Sequence, residues 1–408
     1  MKNTIHIMKK PVLFAIAALA LLASCAKTEV VPVQNDGDQL ISFQTAVSRQ
    51  GTRANELING TAYPTDVPFG TFAYFNAKGT TFPTGAELYI PHSDVSYDAT
   101  GKKWLTGTPY YWPKQGSLTF YSYSPYDALS GITDCTVANG ITIASVAEPW
   151  DVDANQKVDI LVADYKTDQT TNVRDPSTTF TNGVPTIFRH KLAQIVNVSF
   201  RTDIDYCGGR TEETAEVGDK FFYANSVKIN NIEYKGNYTS GQVVDGTNLG
   251  AWNVNTDTKD YTWYEVLPTE NNPTAGTAFG LTAVPVDPAA KLTNSYLLVM
   301  PQEFARPANL ANLTSEKTIQ ISYTIRTCTE VTAGGRAFST ENVKDVVIPL
   351  WQIQGGKDAT ANEAAVTATP WYMNKKLSYT FIIGLDQILW DPSVVEWETQ
   401  GTFEQTLK

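Results

Sequence analysis

Short runs of alternating apolar and polar residues recur along most of the chain. Two of the clearest are "TIQISYTIRT" and "KLSYTFIIGL". A period of two residues is typical of a strand that buries one face. Their apolar positions are Ile319, Ile321, Tyr323 and Ile325 in the first run, and Leu377, Tyr379, Phe381 and Ile383 in the second.

Other segments extend this strand pattern. "IVNVSF" places Val196, Val198 and Phe200 on one face and begins the other face with Ile195. "SLTFYSY", "FGTFAYF", "SVKINNI" and "SYLLVM" also lie between Gly, Pro and Asn turns. Many short strands without alternating helices predict an all-β fold of antiparallel β-sandwiches.

The N-terminus has the pattern of an export signal. Lys9 and Lys10 precede an unbroken apolar run from Val12 to Leu22, which is too short to span a bilayer as a helix. The run ends in "LASC" at Cys25. A basic start, a short apolar run and small residues indicate a secretory signal. The pattern resembles a bacterial lipobox, which implies a signal peptide over residues 1–24 and a lipid on Cys25.

Composition supports an extracytoplasmic, strand-rich protein. Aromatic residues make up 11% of the chain and charged residues only 18%. The net charge of −11 argues against nucleic acid, because nucleic-acid affinity comes largely from Lys and Arg. The chain length suits two domains, with a boundary expected near "TNGVPTIF", where a new strand begins at about Ile187.

Few residues are candidates for catalysis or metal binding. His92 and His190 are the only histidines after His6, and His190, in "FRHKLAQIV", is interpreted as a structural histidine with a satisfied hydrogen bond. No GxSxG, P-loop or HExxH motif occurs. We therefore expect no enzyme activity, no cofactor and no metal. A sandwich glycosidase would need two carboxylates about 5–9.5 Å apart, which sequence alone does not show.

One acidic segment is similar to a calcium loop. Asp151, Asp153 and Asn155 alternate as calcium ligands do. Gln156 stands where the tight turn needs Gly, and Val162 where the loop needs a bidentate Glu. We therefore interpret the segment as a solvated acidic loop.

Cysteines and tryptophans favour structural roles. Cys135, Cys207 and Cys328 have no metal-ligand spacing and cannot all pair within the chain, so we expect buried thiols or at most one bridge. Trp104, Trp112 and Trp150 could stack on sugar rings, but such residues more often pack in a β-sandwich.

Five phrases together resemble the fimbrillin family of type V pilus subunits. In order, they are "YYWPKQGSLTFYSYSPY" (110–126), "DILVADY" (159–165), "IFRHKLAQIVNVSF" (187–200), "SVKINNIEYKGNY" (226–238) and "LSYTFIIGLDQILWDPSVVEW" (377–397). The resemblance implies two transthyretin-like β-sandwich domains and a lipoprotein precursor exported to the outer membrane. It also implies cleavage by an arginine-specific protease and polymerisation by strand exchange with other pilus subunits.

The residues near the N-terminus fit such a precursor. "LISFQTAV" (40–47) alternates so that Ile41, Phe43 and Val47 share one face, as in a strand that buries one side. Arg49 and Arg53 follow in the polar segment "SRQGTRAN". A cut there would release the body from the lipid. If the strand then left, an unpaired edge and an open apolar groove would remain for another chain. We favour the bond after Arg53, with Arg49 as the alternative.

The C-terminal tail "VEWETQGTFEQTLK" is the candidate donor strand, with Phe403 and Leu407 among its apolar positions. The expected organisation is a signal peptide (1–24), a lipidated propeptide with the removable strand (25–53), an N-terminal sandwich (54–186) and a C-terminal sandwich (187–408). The alternative function is a surface lipoprotein that binds glycans through exposed aromatic residues.

Overall fold

The structure is a computed structural model. It describes residues 40–47, 62–147, 158–170, 183–242, 248–287, 296–304, 316–354, 370–385 and 388–396. These residues form strands in four sheets and two short α-helices, α1 (Tyr126–Leu129) and α2 (Leu350–Gln354). The all-β prediction is confirmed.

The first sheet contains eight strands. They are β1 (Phe43–Val47), β2 (Phe69–Asn76), β3 (Glu87–Asp98), β4 (Lys103–Thr106), β5 (Ser117–Ser124), β8 (Leu161–Ala163), β9 (Lys166–Gln169) and β10 (Val184–His190). Their order is β2-β3-β4-β1-β10-β8-β5-β9, and β2 also pairs with β5, so the path of pairings returns on itself. The predicted strand at about Ile187 begins earlier, at Val184, and belongs to this sheet.

Two further sheets form a sandwich in the second half of the chain. The first of them contains β11 (Ala193–Thr202), β17 (Val284–Pro285), β18 (Leu297–Val299), β21 (Lys375–Ile383) and β22 (Ile388–Glu396). The other contains β12 (Lys220–Glu233), β15 (Thr258–Glu265), β16 (Thr277–Phe279), β19 (Thr318–Thr332) and β20 (Gly335–Pro349). Both contribute to one apolar cluster, which includes Phe200, Phe222, Ile321 and Phe381.

The fourth sheet takes strands from both halves of the chain. It contains β6 (Thr133–Thr136), β7 (Gly140–Ala147), β13 (Lys235–Thr239) and β14 (Ala251–Val254), and β7 pairs with β13. We call it the shared sheet. Its Ile143 and Tyr238 are fully buried in one apolar cluster with Tyr121 of the first sheet. The division into two domains stays a prediction, and the chain passes from the first sheet to the second between His190 and Ala193.

One strand departs from the period expected from sequence. The pairing of β11 with β21 shifts between Ile195 and Asn197, which leaves Val196 as an extra residue in a β-bulge. Ile195, Val198 and Phe200 are therefore buried in the same core, while Val196 is half-buried. The expectation that Val196 shares a face with Val198 was wrong, because period-two reasoning does not anticipate the bulge.

Candidate functional site

Strand β1 lies between two other strands of the first sheet. It pairs in parallel with β10 over five residue positions, from Phe43 opposite Val184 to Val47 opposite Phe188. On its other side, Phe43 lies opposite Trp104 of β4. β4 and β10 have no described pairing with each other. Removal of β1 would therefore leave both strands with an unpaired edge.

The side chains of β1, and of Ile41 just before it, lie in the core of the first sheet. Ile41 and Val47 are fully buried, and Phe43 is only 2% exposed. The ring of Phe43 meets the rings of Phe69 and Phe120 edge to face, with centroid distances of 5.5 and 5.7 Å. The three residues predicted to share the buried face thus do so, whereas Ser42 and the residues from Gln44 to Ala46 are half-buried.

The backbone around β1 is held closely at its start. The Ile41 amide donates to the Tyr110 carbonyl at 2.8 Å, and the Val184 amide donates to the Ser42 carbonyl at 2.7 Å. Gly183 has a φ of +124°, and a Cβ there would lie 2.7 Å from the Ser42 oxygen. Glycine is required at this position because β10 approaches β1 too closely for a side chain.

Tyr63 belongs to the same core, although sequence reasoning did not single it out. Its ring stacks on Phe188 at 4.7 Å and meets the edge of Trp104 at 5.3 Å. Its hydroxyl is 2.6 Å from the Ser124 hydroxyl. Burial raises the pKa of Tyr63, so the hydroxyl stays neutral. The available signal was a single aromatic residue among polar neighbours in "GTAYPTD".

Several predicted site residues lie outside the described part of the chain. These are Cys25, Arg49, Arg53, Trp150, Asp151, Asp153, Asn155, Phe403 and Leu407, together with the whole signal peptide. The predicted donor tail begins at Val395, which the structure places in β22, opposite Lys376 of β21.

His92 and His190 both have structural surroundings. His190 is fully buried, and its Nδ1 lies 2.9 Å from a carboxylate oxygen of Asp159. The ring of His92 stacks on Phe72 at 4.8 Å, and its Nε2 hydrogen-bonds the Tyr123 hydroxyl. Burial lowers the pKa of His92. Among the described residues, no group of three or more His, Cys, Asp or Glu side chains is arranged to hold a metal ion.

The remaining candidates are also accounted for by packing. Trp104 is 5% exposed within the first core, and Trp112 packs against Phe120 at 5.7 Å, so Trp104 offers no surface for a sugar ring. Cys135 and Cys328 are buried free thiols, and Cys207 is a partly exposed one. None of these three thiols forms a bridge.

These features define an all-β, multi-sheet protein whose first sheet is completed by a buried N-terminal strand. The fimbrillin-like family model matches residues 52–397. The chain belongs to the fimbrillin-like family.

Solved structures include chains that are similar to this one. A fimbrial protein from Bacteroides vulgatus is 17% identical, covers 88% of this chain and all of its own, and gives a TM-score of 0.55. At this identity the likeness shows the fold alone. The tip fimbrial protein Mfa3 from Porphyromonas gingivalis is 12% identical over 81% of this chain and 94% of its own, with a TM-score of 0.37. No curated protein sequence matches the chain. Within the described residues, no helix has the length and apolar character needed to cross a membrane.

Proposed function

We propose that this chain is a structural subunit of a cell-surface fimbria of the type V pilus class, supporting adhesion. In this proposal it is exported as an outer-membrane lipoprotein precursor with its lipid on Cys25. An arginine-specific protease then cuts after Arg53, or after Arg49 in the alternative, and the subunits polymerise by strand exchange.

The burial of β1 is the observation that carries the proposal. Transfer of Ile41, Phe43 and Val47 out of water contributes roughly 1.5–3 kcal/mol each, or about 5–9 kcal/mol together. Loss of residues 41–47, which include β1, would forfeit this burial and open the edges of β4 and β10. A strand from another subunit that fills the groove would recover both contributions, which favours head-to-tail assembly.

The position of Tyr63 supports a body that stays folded after the cut. Cleavage after Arg53 would make Ala54 the first residue, and Tyr63 would remain in the mature chain. Its contacts with Phe188 and Trp104 do not involve β1. The first core would therefore keep an aromatic anchor while it loses Phe43.

The C-terminal tail is the proposed donor. The described strand β22 ends at Glu396 after nine residue pairs with β21. Residues beyond Glu396, including Phe403 and Leu407, can donate a strand without loss of those pairs. Donation that also used Val395 would require part of β22 to separate from β21.

Sequencing the N-terminus of subunits from assembled fibres tests the cleavage. Ala54 as the first residue supports the cut after Arg53, and Gln50 moves it to Arg49. An intact lipidated start at Cys25 in subunits from the middle of a fibre would refute the maturation scheme. A Cys25→Ser precursor should in parallel lose incorporation of labelled palmitate, and undiminished labelling would refute lipidation at this residue.

A further inference from the structure

The arginines within the described residues all have engaged guanidinium groups. Arg189 bonds Asp164 through two nitrogens, at 2.6 and 2.9 Å, and Arg326 pairs with Glu212. The guanidinium of Arg201 donates to the Thr202 carbonyl at 3.3 Å, and that of Arg336 to the Ala215 carbonyl at 2.6 Å. These four arginines lie in β10, β19, β11 and β20, respectively.

Arg210 is the described arginine that lies outside a strand. It follows two glycines in the segment "DYCGGRTEET", between β11 and β12. Exposed loops of small and polar residues are preferred sites of proteolytic nicking. By sequence, the bond after Arg210 is therefore the most vulnerable arginine bond of the described chain.

The geometry at Arg210 opposes such a cut. Nε and one terminal nitrogen each lie 2.7 Å from an oxygen of Asp219, in the bidentate arrangement that makes this pairing strong. The Asp219 side chain is only 7% exposed, whereas that of Glu216, 3.5 Å from the same guanidinium, is 73% exposed. Asp219 is thus the buried partner of Arg210, and Glu216 is an exposed residue at a longer distance.

The backbone before Arg210 also forms a turn rather than an extended segment. Gly208 and Gly209 have φ angles of +59° and +72°, and the Arg210 amide donates to the Cys207 carbonyl at 3.0 Å. A trypsin-like protease needs the arginine side chain free to enter its specificity pocket. It also needs an extended segment that pairs with it as a strand. Both requirements fail while the Arg210–Asp219 pair is formed.

We propose that the Arg210–Asp219 pair is a guard that keeps the folded subunit intact in the presence of an arginine-specific protease. The inference rests on the proposed maturation, since that protease would act on the same molecule. The guard would restrict cutting to arginines without such pairing. The protease would then mature the subunit without cutting it after Arg210.

The pair persists throughout the working range of such proteases. Arg210 holds the pKa of Asp219 at about 2, below its ordinary value. A depressed carboxyl pKa keeps the pair formed above the ordinary value near 4 and loses it only as the pH falls towards 2. Protection should therefore not change between neutral and mildly alkaline pH.

The test is digestion of the folded full-length chain with an arginine-specific endoprotease, with new N-termini identified by mass spectrometry. A Lys114→Arg variant supplies the reference, because Lys114 is exposed in the bend before β5. In this variant a new N-terminus at Gln115 should appear readily. In the wild type, Thr211 should appear at least tenfold more slowly than Gln115 does in the reference.

Substitution of each acidic residue in turn distinguishes protection by the Arg210–Asp219 pair from the general accessibility of the loop. Asp219→Ala should raise the appearance of Thr211 at least tenfold, and Glu216→Ala should leave it at the wild-type rate. Cuts confined to Thr211 indicate local release. Additional cuts after the arginines in strands would mean that Asp219→Ala unfolds the chain. In that case the rate of cutting after Arg210 in the wild type, compared with the rate at the Lys114→Arg site, decides whether the pair protects the bond.

Two results would overturn the proposal. One is a wild-type chain cut after Arg210 as fast as the reference site. The other is a folded Asp219→Ala variant that stays uncut there. The same digests report the cut after Arg53 or Arg49 separately. Absence of that cut with Arg210 protected would refute the maturation scheme while leaving the guard in place.

Discussion

Substitution of Phe43 by Ala gives the sharpest measure of how strongly β1 holds the first sheet together. Phe43 is 2% exposed and contacts the rings of Phe69 and Phe120. Truncation of a buried Phe to Ala costs about 3–5 kcal/mol, including the cavity that it leaves. For a folding unit of 150–250 residues, 1 kcal/mol corresponds to about 2–4 °C, so the melting temperature should fall by about 6–20 °C.

The assay is differential scanning calorimetry of the uncleaved chain, with Gln44→Ala as the matched control. Gln44 lies next to Phe43 in β1 but is only half-buried, so its truncation should change stability by less than about 0.5 kcal/mol. A chain that begins at Ala54 lacks β1, so its melting temperature should not depend on this strand. A loss below about 1 kcal/mol for Phe43→Ala would show that β1 is not an integral part of the core.

Three further outcomes are expected. Alkylation of the folded chain at pH 8 should modify Cys207 slowly, because burial and the nearby Asp205 raise the pKa of its thiol. It should spare Cys135, because deeper burial raises the pKa of that thiol further. Peptide mapping shows the order of labelling, and faster labelling of Cys135 would contradict the expectation. Gly140→Ala should destabilise the chain by at least about 1–3 kcal/mol in a denaturant titration, because a Cβ at this φ of +63° would lie 2.1 Å from the Gly241 oxygen; unchanged stability would show that the backbone relaxes freely. Deletion of residues 401–408 should leave a folded monomer that no longer polymerises, as seen by electron microscopy, and normal fibres would place the donor elsewhere.

The sequence predicted the buried face of a strand correctly where apolar and polar residues alternate without interruption. The buried face of β21 is the one read from Leu377, Tyr379 and Phe381, because its period of two is uninterrupted. In β19 the strand itself was predicted, yet Ser322 and Thr324 on its polar face are buried too. Hydrogen bonds to residues of neighbouring strands satisfy them, and those partners are distant in sequence.

The parts that could not be predicted depend on long-range pairing. The bulge at Val196 is defined by the register with β21, which no local pattern encodes. The shared sheet joins segments from both halves, and the Arg210–Asp219 pair depends on how one loop folds back. For the candidate site, the burial of Ile41, Phe43 and Val47 was readable, while Tyr63 and Gly183 became evident only from the packing around β1.

The shared sheet also constrains the order in which the chain can fold. β7 ends at Ala147, but its partner β13 begins only at Lys235. During synthesis, the first half emerges before that partner exists, and long-range pairing is slow because a large loop must close first. Until then Tyr74 and Tyr121 of the first sheet lack the residues, Tyr238 among them, that the second half contributes to their apolar cluster, and such transiently exposed apolar surface is prone to aggregation. Folding therefore includes an interval in which this apolar face is exposed, and a holding chaperone would protect it.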